Sequence, residues 1–379
     1  MKNYQRLGDY IRPVDVRNRD LKVNLSQGIC NAKYFQNPKQ VADNPETHKV
    51  VRTGQFAYNR ATTRNGDKIS IALREGPDCT VSSAYQVFEI VDENQLDPKY
   101  LMMWFKRPEF DRLAIFYSHG SAHEFFEWDA MCEVRLPIPS IARQREIGEE
   151  YETLSRRIRL NEQMIARLEE TAQSLYRKMF VDGVDKENLP EGWRNGILGD
   201  ICETQYGYTE TAVQEPVGPK FLRITDIVNN SIDWSKVPFC PISNNDFKKY
   251  KLELGDIVVS RTGANIGWAK QIKGTVPDSV FASFLIRVKA KESDLQWLIG
   301  HLVESSDFKT FVFANQQGSA QPQANANILV KFPLLIPDKE TLRQYNIQVQ
   351  PINRSVCLFE QENSKLTELQ SLLLARMGK

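Results

Sequence analysis

From Ile147 onward the chain places Ile147, Tyr151, Leu154, Ile158, Ile165, Leu168, Ala172, Leu175 and Met179 three, four or seven residues apart, with Asn161 inside the longest step. That period puts one apolar seam along a single face of an α-helix. It predicts a helix from Ile141 to Phe180, about 60 Å long at 1.5 Å per residue. Ser140, a residue type that caps free backbone N–H groups, stands just before it. A stripe this long cannot be covered by the helix that carries it, so a second helix is expected beside it.

The sequence supplies one by repetition. "GSAHEFFEWDAMCEVRLPIPS" from Gly120 and "GSAQPQANANILVKFPLLIPD" from Gly318 share a frame, and Leu136, Ile138, Pro139 and Ser140 match Leu334, Ile336, Pro337 and Asp338 at the same offset. "LGD" likewise occurs at Leu7 and again at Leu198. The offset is smaller there, so the second half carries extra residues between its frames, as loops do. Val349, Ile352, Val356, Phe359, Leu366, Leu373 and Met377 continue the register of the first seam, and Glu162-Gln163 returns as Glu360-Gln361. Asn363 and Gln370 occupy seam positions in this copy. Pro351 would cost a helix interior about 3 kcal/mol, so the long second helix is expected to begin there, after a shorter helix or turn over "DKETLRQYNIQVQ". Asn161 and Asn363 either fix register within the pair or face solvent at a local irregularity.

Strand-like stretches also recur, "VSSAYQVFEIV" from Val81 and "SVFASFLIRVKA" from Ser279, followed by the helix-like "YLMMWFKRPEFDRL" and "LQWLIGHLVESSDF". The expected architecture is therefore two mixed α/β (α+β) domains, residues 1–139 and 186–337, with helical segments at 140–185 and 338–379. A chain of 379 residues has room for two such cores. No apolar run reaches the roughly 18 residues that span a bilayer, and "MKNYQRLGDYIRP" lacks the apolar core of a signal peptide, so a cytoplasmic protein is expected. Six cysteines standing singly fit reduced, buried thiols better than a disulfide frame or a zinc site. A net charge of +1 announces no nucleic-acid partner, so a DNA-binding face would have to be local.

At this point the chain resembles the specificity subunits of type I restriction-modification systems. The resemblance is carried by "LGDYIRPVDVRNRDLKV", "GQFAYNRATTRNGDKISIAL", "YLMMWFKRPEFDRLAIFYSHGSAHEFFEWDAMCEVRLPIPSIARQREI" and "NEQMIARLEETAQSLYRKMFVDG", and less strongly by "LPEGWRNGILGDI", "GDIVVSRTGANIG" and "GSAQPQ". It implies two target-recognition domains in a pseudo-two-fold repeat, joined by two long helices paired as an antiparallel coiled coil. It implies that each domain reads one half of a bipartite site on double-stranded DNA, that the coil sets the spacer, and that two methyltransferase subunits dock on the repeated frame, with or without restriction/translocase subunits. The subunit itself catalyses nothing on this reading and carries no cofactor; S-adenosylmethionine, ATP and Mg2+ are expected on the partners. The seam of the coil would comprise Ile147, Tyr151, Leu154, Ile158, Asn161, Ile165, Leu168 and Leu175, facing Val356, Phe359, Leu366 and Leu373.

Base edges are read most often by Arg, Asn and Gln, and phosphates are held by Lys, Arg and Ser. In the first domain the DNA-binding candidates are Arg60, Arg64, Asn65 and Lys68 in "YNRATTRNGDKIS", with Ser118, His119 and Ser121 near the GSA turn. In the second they are Arg261, Thr262 and Asn265 in "SRTGANIG", and Gln316, Gln317, Ser319 and Gln321 in "NQQGSAQPQ". Each is weighed against an ordinary solvated or turn-shaping role. Cations and anions nearly balance in the first 140 residues. The isolated subunit is accordingly expected to bind DNA weakly and far more tightly with its partners, and to self-associate when its docking surface is uncovered.

Other readings are poorer. Asp78 and Asp97 with Lys99 superficially spell a metal-nuclease pattern, but "GPDC" reads as a turn. His119 and His123 flank a glycine and have no third ligand. "GANIGW" lacks the Lys-Ser/Thr ending of a phosphate loop and reads as a strand turn. No N-P-P-aromatic segment of an adenine methyltransferase is present. The remaining rival is a coiled-coil scaffold that binds protein and not DNA.

Overall fold

The computed structural model describes residues 4–38, 44–61, 68–118, 125–185, 187–228, 231–316 and 323–378. Contacts divide the chain into two compact units, Met1–Arg156 with Leu366–Lys379, and Arg157–Lys365.

The first unit begins with short strands, β1 (Tyr4–Arg6), β2 (Ile11–Val14), β3 (Gly28–Ile29), β4 (Phe35–Gln36), β5 (Lys49–Val51), β6 (Phe56–Asn59), β7 (Ile71–Leu73), β8 (Cys79–Val81) and β9 (Tyr85–Ile90). The helices α1 (Pro98–Lys106), α2 (Pro108–Ser118) and α3 (Trp128–Glu133) follow, and then β10 (Arg135–Pro137). The stretch from Val81 that reads as one strand is the end of β8 and all of β9, because the Tyr85 amide turns back to the Ser82 carbonyl at 3.0 Å. An antiparallel sheet in the order β2-β9-β6-β7 carries the core. Phe56 and Phe88 stack at 4.9 Å on it, and Phe105 of α1 meets Phe56 edge-on at 5.9 Å. Burying each such ring stabilises the fold by about 1.5–3 kcal/mol. Asp97 caps α1 by accepting from the Tyr100 amide at 3.0 Å, with Pro98 in the first turn. Pro108 ends it, so one predicted helical stretch becomes two helices.

The second unit follows the same plan. It contains β11 (Arg194–Ile197), α5 (Leu198–Ile201), β12 (Cys202–Tyr206), β13 (Lys220–Leu222), α6 (Ile224–Ile227), α7 (Asn244–Tyr250), β14 (Ile257–Ser260), β15 (Ala269–Gln271), β16 (Ser279–Phe281), β17 (Leu285–Ala290), α8 (Gln296–Val303), α9 (Ser306–Ala314), α10 (Ala326–Leu329) and β18 (Pro333–Ile336). Its antiparallel sheet has the order β12-β17-β14-β15. Here too a single predicted strand is broken, at a turn in which Leu285 donates to the Ala282 carbonyl at 2.8 Å. In both units the ends of the frame meet: β1 pairs antiparallel with β10, and β11 with β18. The Leu7 amide reaches the Val134 carbonyl at 2.8 Å, and Leu198 reaches Phe332 at 2.9 Å. What differs is the material outside the four-stranded sheets, where β5 and β8 pair antiparallel but β13 and β16 pair parallel.

α4 runs from Ile141 to Phe180, as the seam predicts. Its ends are consumed by cores: Ile147 and Tyr151 pack on the first unit, and Leu175 and Met179 on the second. Ser140 contributes its carbonyl, which accepts from the Gln144 amide at 3.0 Å. Asp338 performs the predicted side-chain cap, accepting from the amides of Glu340 at 2.8 Å and Thr341 at 3.0 Å. The expected start at Pro351 is incorrect. α11 is continuous from Lys339 to Met377 with Pro351 inside it. The flanking Leu342, Tyr345, Val349 and Val356 are all buried, and their packing outweighs the lost hydrogen bond at the exposed proline.

Every predicted seam residue is buried or half-buried. Asn161, 1% exposed, does not face solvent. Of the cysteines, all free, Cys79, Cys202 and Cys240 are buried, while Cys30, Cys132 and Cys357 are only half-buried, short of the expectation. No helix among the described residues is long and apolar enough to cross a membrane.

Candidate nucleic-acid interface

In the first unit β6 ends at Asn59, and Arg60 leaves it at the start of the stretch that contains Arg64, Asn65 and Lys68. The Arg60 carbonyl accepts from the Phe126 amide at 2.8 Å, and Ala61 forms a one-residue antiparallel bridge with Phe125. The Arg60 guanidinium lies 5.7 Å over the Phe125 ring and 3.3 Å from Glu127 Oε2. Lys68 is exposed at the other end of the segment. Ser118, at the end of α2, is buried, and its hydroxyl donates to the Ala114 carbonyl at 2.6 Å. Arg64, Asn65, His119 and Ser121 lie outside the described residues.

The second unit repeats the junction. Arg261 leaves β14, its carbonyl accepts from the Ala324 amide at 2.8 Å, and Thr262 bridges Gln323. The Arg261 guanidinium sits 4.9 Å over the Tyr206 ring, with Nη1 3.5 Å from the Ser283 carbonyl. Asn265 belongs to the turn of residues 263–265, where Gly263 at φ +73° supplies a left-handed conformation open to glycine. "GANIGW" is thus a strand turn, as read. Gln316 is half-buried. Gln317, Ser319 and Gln321 lie outside the described residues.

The geometry brings Arg60 and Arg261 to equivalent places, each an arginine resting on an aromatic ring beside a one-residue bridge. Part of each guanidinium edge is already engaged, Arg60 Nη1 by Glu127 and Arg261 Nη1 by the Ser283 carbonyl. The platforms Phe125 and Tyr206 escaped the sequence reading, because ring–guanidinium contacts join residues about 60 positions apart and leave no local signal.

The acidic pairs that mimic catalytic ones are structural. Asp78 accepts from the Thr53 amide at 3.1 Å, and Asp97 caps α1. No group of three or more His, Cys, Asp or Glu among the described residues could hold a metal ion.

A cleft of about 410 Å³ lies in the second unit, with Glu169, Lys270, Lys273, His301, Glu304 and Lys309 among its lining residues. Lys273 Nζ is 3.2 Å from Glu169 and 3.9 Å from Glu304. Burial opposes its charge, but the two carboxylates outweigh burial and hold its pKa above the ordinary lysine value. Burial likewise opposes the Glu304 charge; Lys273, Lys270 and the Gln271 amide overcome it and hold that carboxyl low. The ions neutralise one another and tie α4 to β15, leaving little net charge for a ligand.

No family model matches the chain. It is 25% identical over 146 residues to the Type I restriction enzyme EcoKI specificity subunit of Escherichia coli (strain K12), a match spanning 35% of this chain and 31% of that protein. The chain thus aligns with about a third of that relative's length. Over its whole length it superposes on the S subunit of a type I restriction-modification system from M. genitalium, at a TM-score of 0.55 and 12% identity, covering 96% of that structure. The HsdS subunit from Thermoanaerobacter tengcongensis aligns with 99% of the chain and 96% of its own at 17% identity and a TM-score of 0.39. The chain is similar to type I specificity subunits, in sequence over part of its length and in its mixed helix-and-strand fold over all of it.

Proposed function

We propose that this protein is the non-catalytic DNA-specificity subunit of a type I restriction-modification complex, a cytoplasmic host-defence component. Its two units are the target-recognition domains of a pseudo-two-fold repeat, each reading one half of a bipartite double-stranded site. α4 and α11 form the antiparallel coil that sets the spacer and, with the repeated frame, docks two methyltransferase subunits. In support, within the second unit Arg157 pairs with Glu362, Met179 with Gln348 and Phe180 with Tyr345, so partners descend on one helix as they climb the other. Within the first, Gln370 reaches Ser155 at 2.7 Å.

The observation that carries the reading is the duplicated junction. Arg60 with Phe126 and Arg261 with Ala324 make the same backbone bond, while the segments they close differ in sequence. A repeated mount with unlike contents is what two readers of unlike half-sites require. Catalysis then belongs to the partners, which would hold S-adenosylmethionine and, where a restriction/translocase subunit is present, ATP and Mg2+. Leu369 and Leu372 of α11, about half exposed, are the kind of surface a partner or a second copy would cover.

The test is to combine the protein with the methyltransferase encoded beside it and sequence the methylated DNA. A two-part motif with a fixed gap is expected; methylation without one would favour a protein-binding scaffold. Lengthening α4 and α11 together by one heptad, about 10 Å, should widen the gap by about three base pairs at 3.4 Å each.

A further inference from the structure

Asp111 is an acidic residue on the inner face of α2, 5% exposed, with Ala114 and Ser118 on the same buried stripe. Its Oδ1 accepts from two directions. The Ile69 amide donates to it at 3.1 Å, and Lys33 Nζ lies 2.8 Å away. Lys33 is itself buried, donates also to the Phe105 carbonyl and lies 5.8 Å over the Phe110 ring. It reaches this place from the β3–β4 turn, where its own φ is +66°, a left-handed conformation costly for a residue with a side chain. A second bond joins the same turn to the same strand start, Ser70 Oγ to Asn31 Oδ1 at 2.8 Å.

A buried ion pair is a poor way to gain stability, since desolvation offsets most of its attraction and apolar residues of similar volume do as well or better. What it supplies is direction. Lys33 and the Ile69 amide can satisfy Asp111 only from one arrangement of turn, strand and helix. Ile69 follows Lys68, the last residue of the candidate reading segment, and α2 ends at Ser118, where the other candidate segment begins. The opposite ends of those segments are already joined by the Ala61–Phe125 bridge.

We infer that Asp111 and Lys33 are a positioning pair that fixes Ile69 against α2, the two anchors from which the candidate segments of the first unit depart, and so governs base preference at one half-site only. The inference rests on the function proposed above. The second unit lacks the pair among its described residues: the matching position, 198 further on, is Lys309, whose ammonium lies 3.8 Å over the Trp268 ring.

The test uses the full chain assembled with its methyltransferase partners and a library of randomised sites. Three variants are compared, Asp111→Asn, which keeps an acceptor for the Ile69 amide, Lys33→Met, and the double variant Lys33→Met with Asp111→Leu, which removes the pair without stranding a charge. The double variant is expected to lower discrimination among bases at one half-site by tenfold or more while the other half-site and the gap stay as in the wild type. Asp111→Asn should give a smaller loss in the same half. Amide exchange over residues 68–70 should rise in the double variant, and its melting temperature should fall by a few degrees, because the Ile69 amide loses its acceptor. Unchanged base preference with faster exchange there would overturn the inference, as would an equal loss in both halves. If the double variant does not fold, the half-selective loss must appear in Asp111→Asn or Lys33→Met. A wild-type complex that methylates without a two-part motif would instead defeat the proposed function, so the two failures are separable.

Discussion

Asn161 Nδ2 donates to Asn363 Oδ1 at 2.9 Å, and to Glu362 Oε2 at the same distance. Arg157 holds the same Glu362 carboxylate through two bonds, at 2.8 and 3.0 Å. A polar residue on an apolar seam is thereby answered by another, and only one alignment of α4 and α11 answers it.

Replacing Asn161 by Ala removes a buried donor set and should lower stability by about 1–3 kcal/mol. Changing Asn161 and Asn363 together to Leu should recover that loss while relaxing alignment. Urea unfolding measures the first effect, and cross-linking between cysteines introduced at successive helix positions measures the second.

Pro351→Ala should stabilise the protein. Alanine restores an amide that can donate to the Ile347 carbonyl and relieves the ring clash, a difference approaching about 3 kcal/mol. The greater freedom of the unfolded chain returns about 0.4–1 kcal/mol of this. A higher urea midpoint for the second unit is the expected result; an unchanged one would mean that α11 is already relaxed around the proline.

His301 makes stability depend on pH. It is 2% exposed, and its Nδ1 is 2.6 Å from the Tyr345 hydroxyl. Burial, aided by Lys273 and opposed by Glu304, pushes its pKa down from 6.5 to about 4. Its stabilising contribution is therefore fully present above pH 6.5 and is lost as pH falls towards 4, because the unfolded chain takes up the proton first. The slope approaches about 1.4 kcal/mol per pH unit. Subtracting the unfolding profile of His301→Gln from that of the wild type should leave this dependence; a flat difference between pH 4 and 7 would refute it.

Gly8→Ala should destabilise the first unit. A Cβ at Gly8 would stand 2.8 Å from Cys132 Cβ, against 3.1 Å between one at Gly199 and Val330 Cβ. Overpacking of this kind costs about 1–3 kcal/mol, and thermal melting should rank Gly8→Ala below Gly199→Ala. The repeated "LGD" is explained by this close approach, since each glycine passes against the residue 131 or 124 positions ahead.

The extent of α4 was legible because a heptad seam is written in consecutive residues and its period belongs to one conformation. The repeated frame was legible for a similar reason, since "LGD" stands directly after both β1 and β11 and the Leu-x-Ile-Pro run recurs at β10 and β18, each written in consecutive residues. The path of α11 was not. A local rule stops a helix at Pro351, and the buried neighbours that override it, Tyr345 and Val349, make their contacts with distant elements.

Side-chain direction was the least accessible. Arg60 and Ser118 looked alike as polar residues in a candidate segment, yet one rests on Phe125 at the surface and the other bonds inward to Ala114. Asp111 reads as one more charge on an exposed helix until Lys33 and Ile69 converge on it. Periodicity and repetition, which depend on near neighbours in the chain, were determined by the sequence itself. Which polar groups stay at the surface and which bond inward was decided only when tertiary packing brought remote residues together, because a hydrogen bond or ion pair is chosen by distance in space.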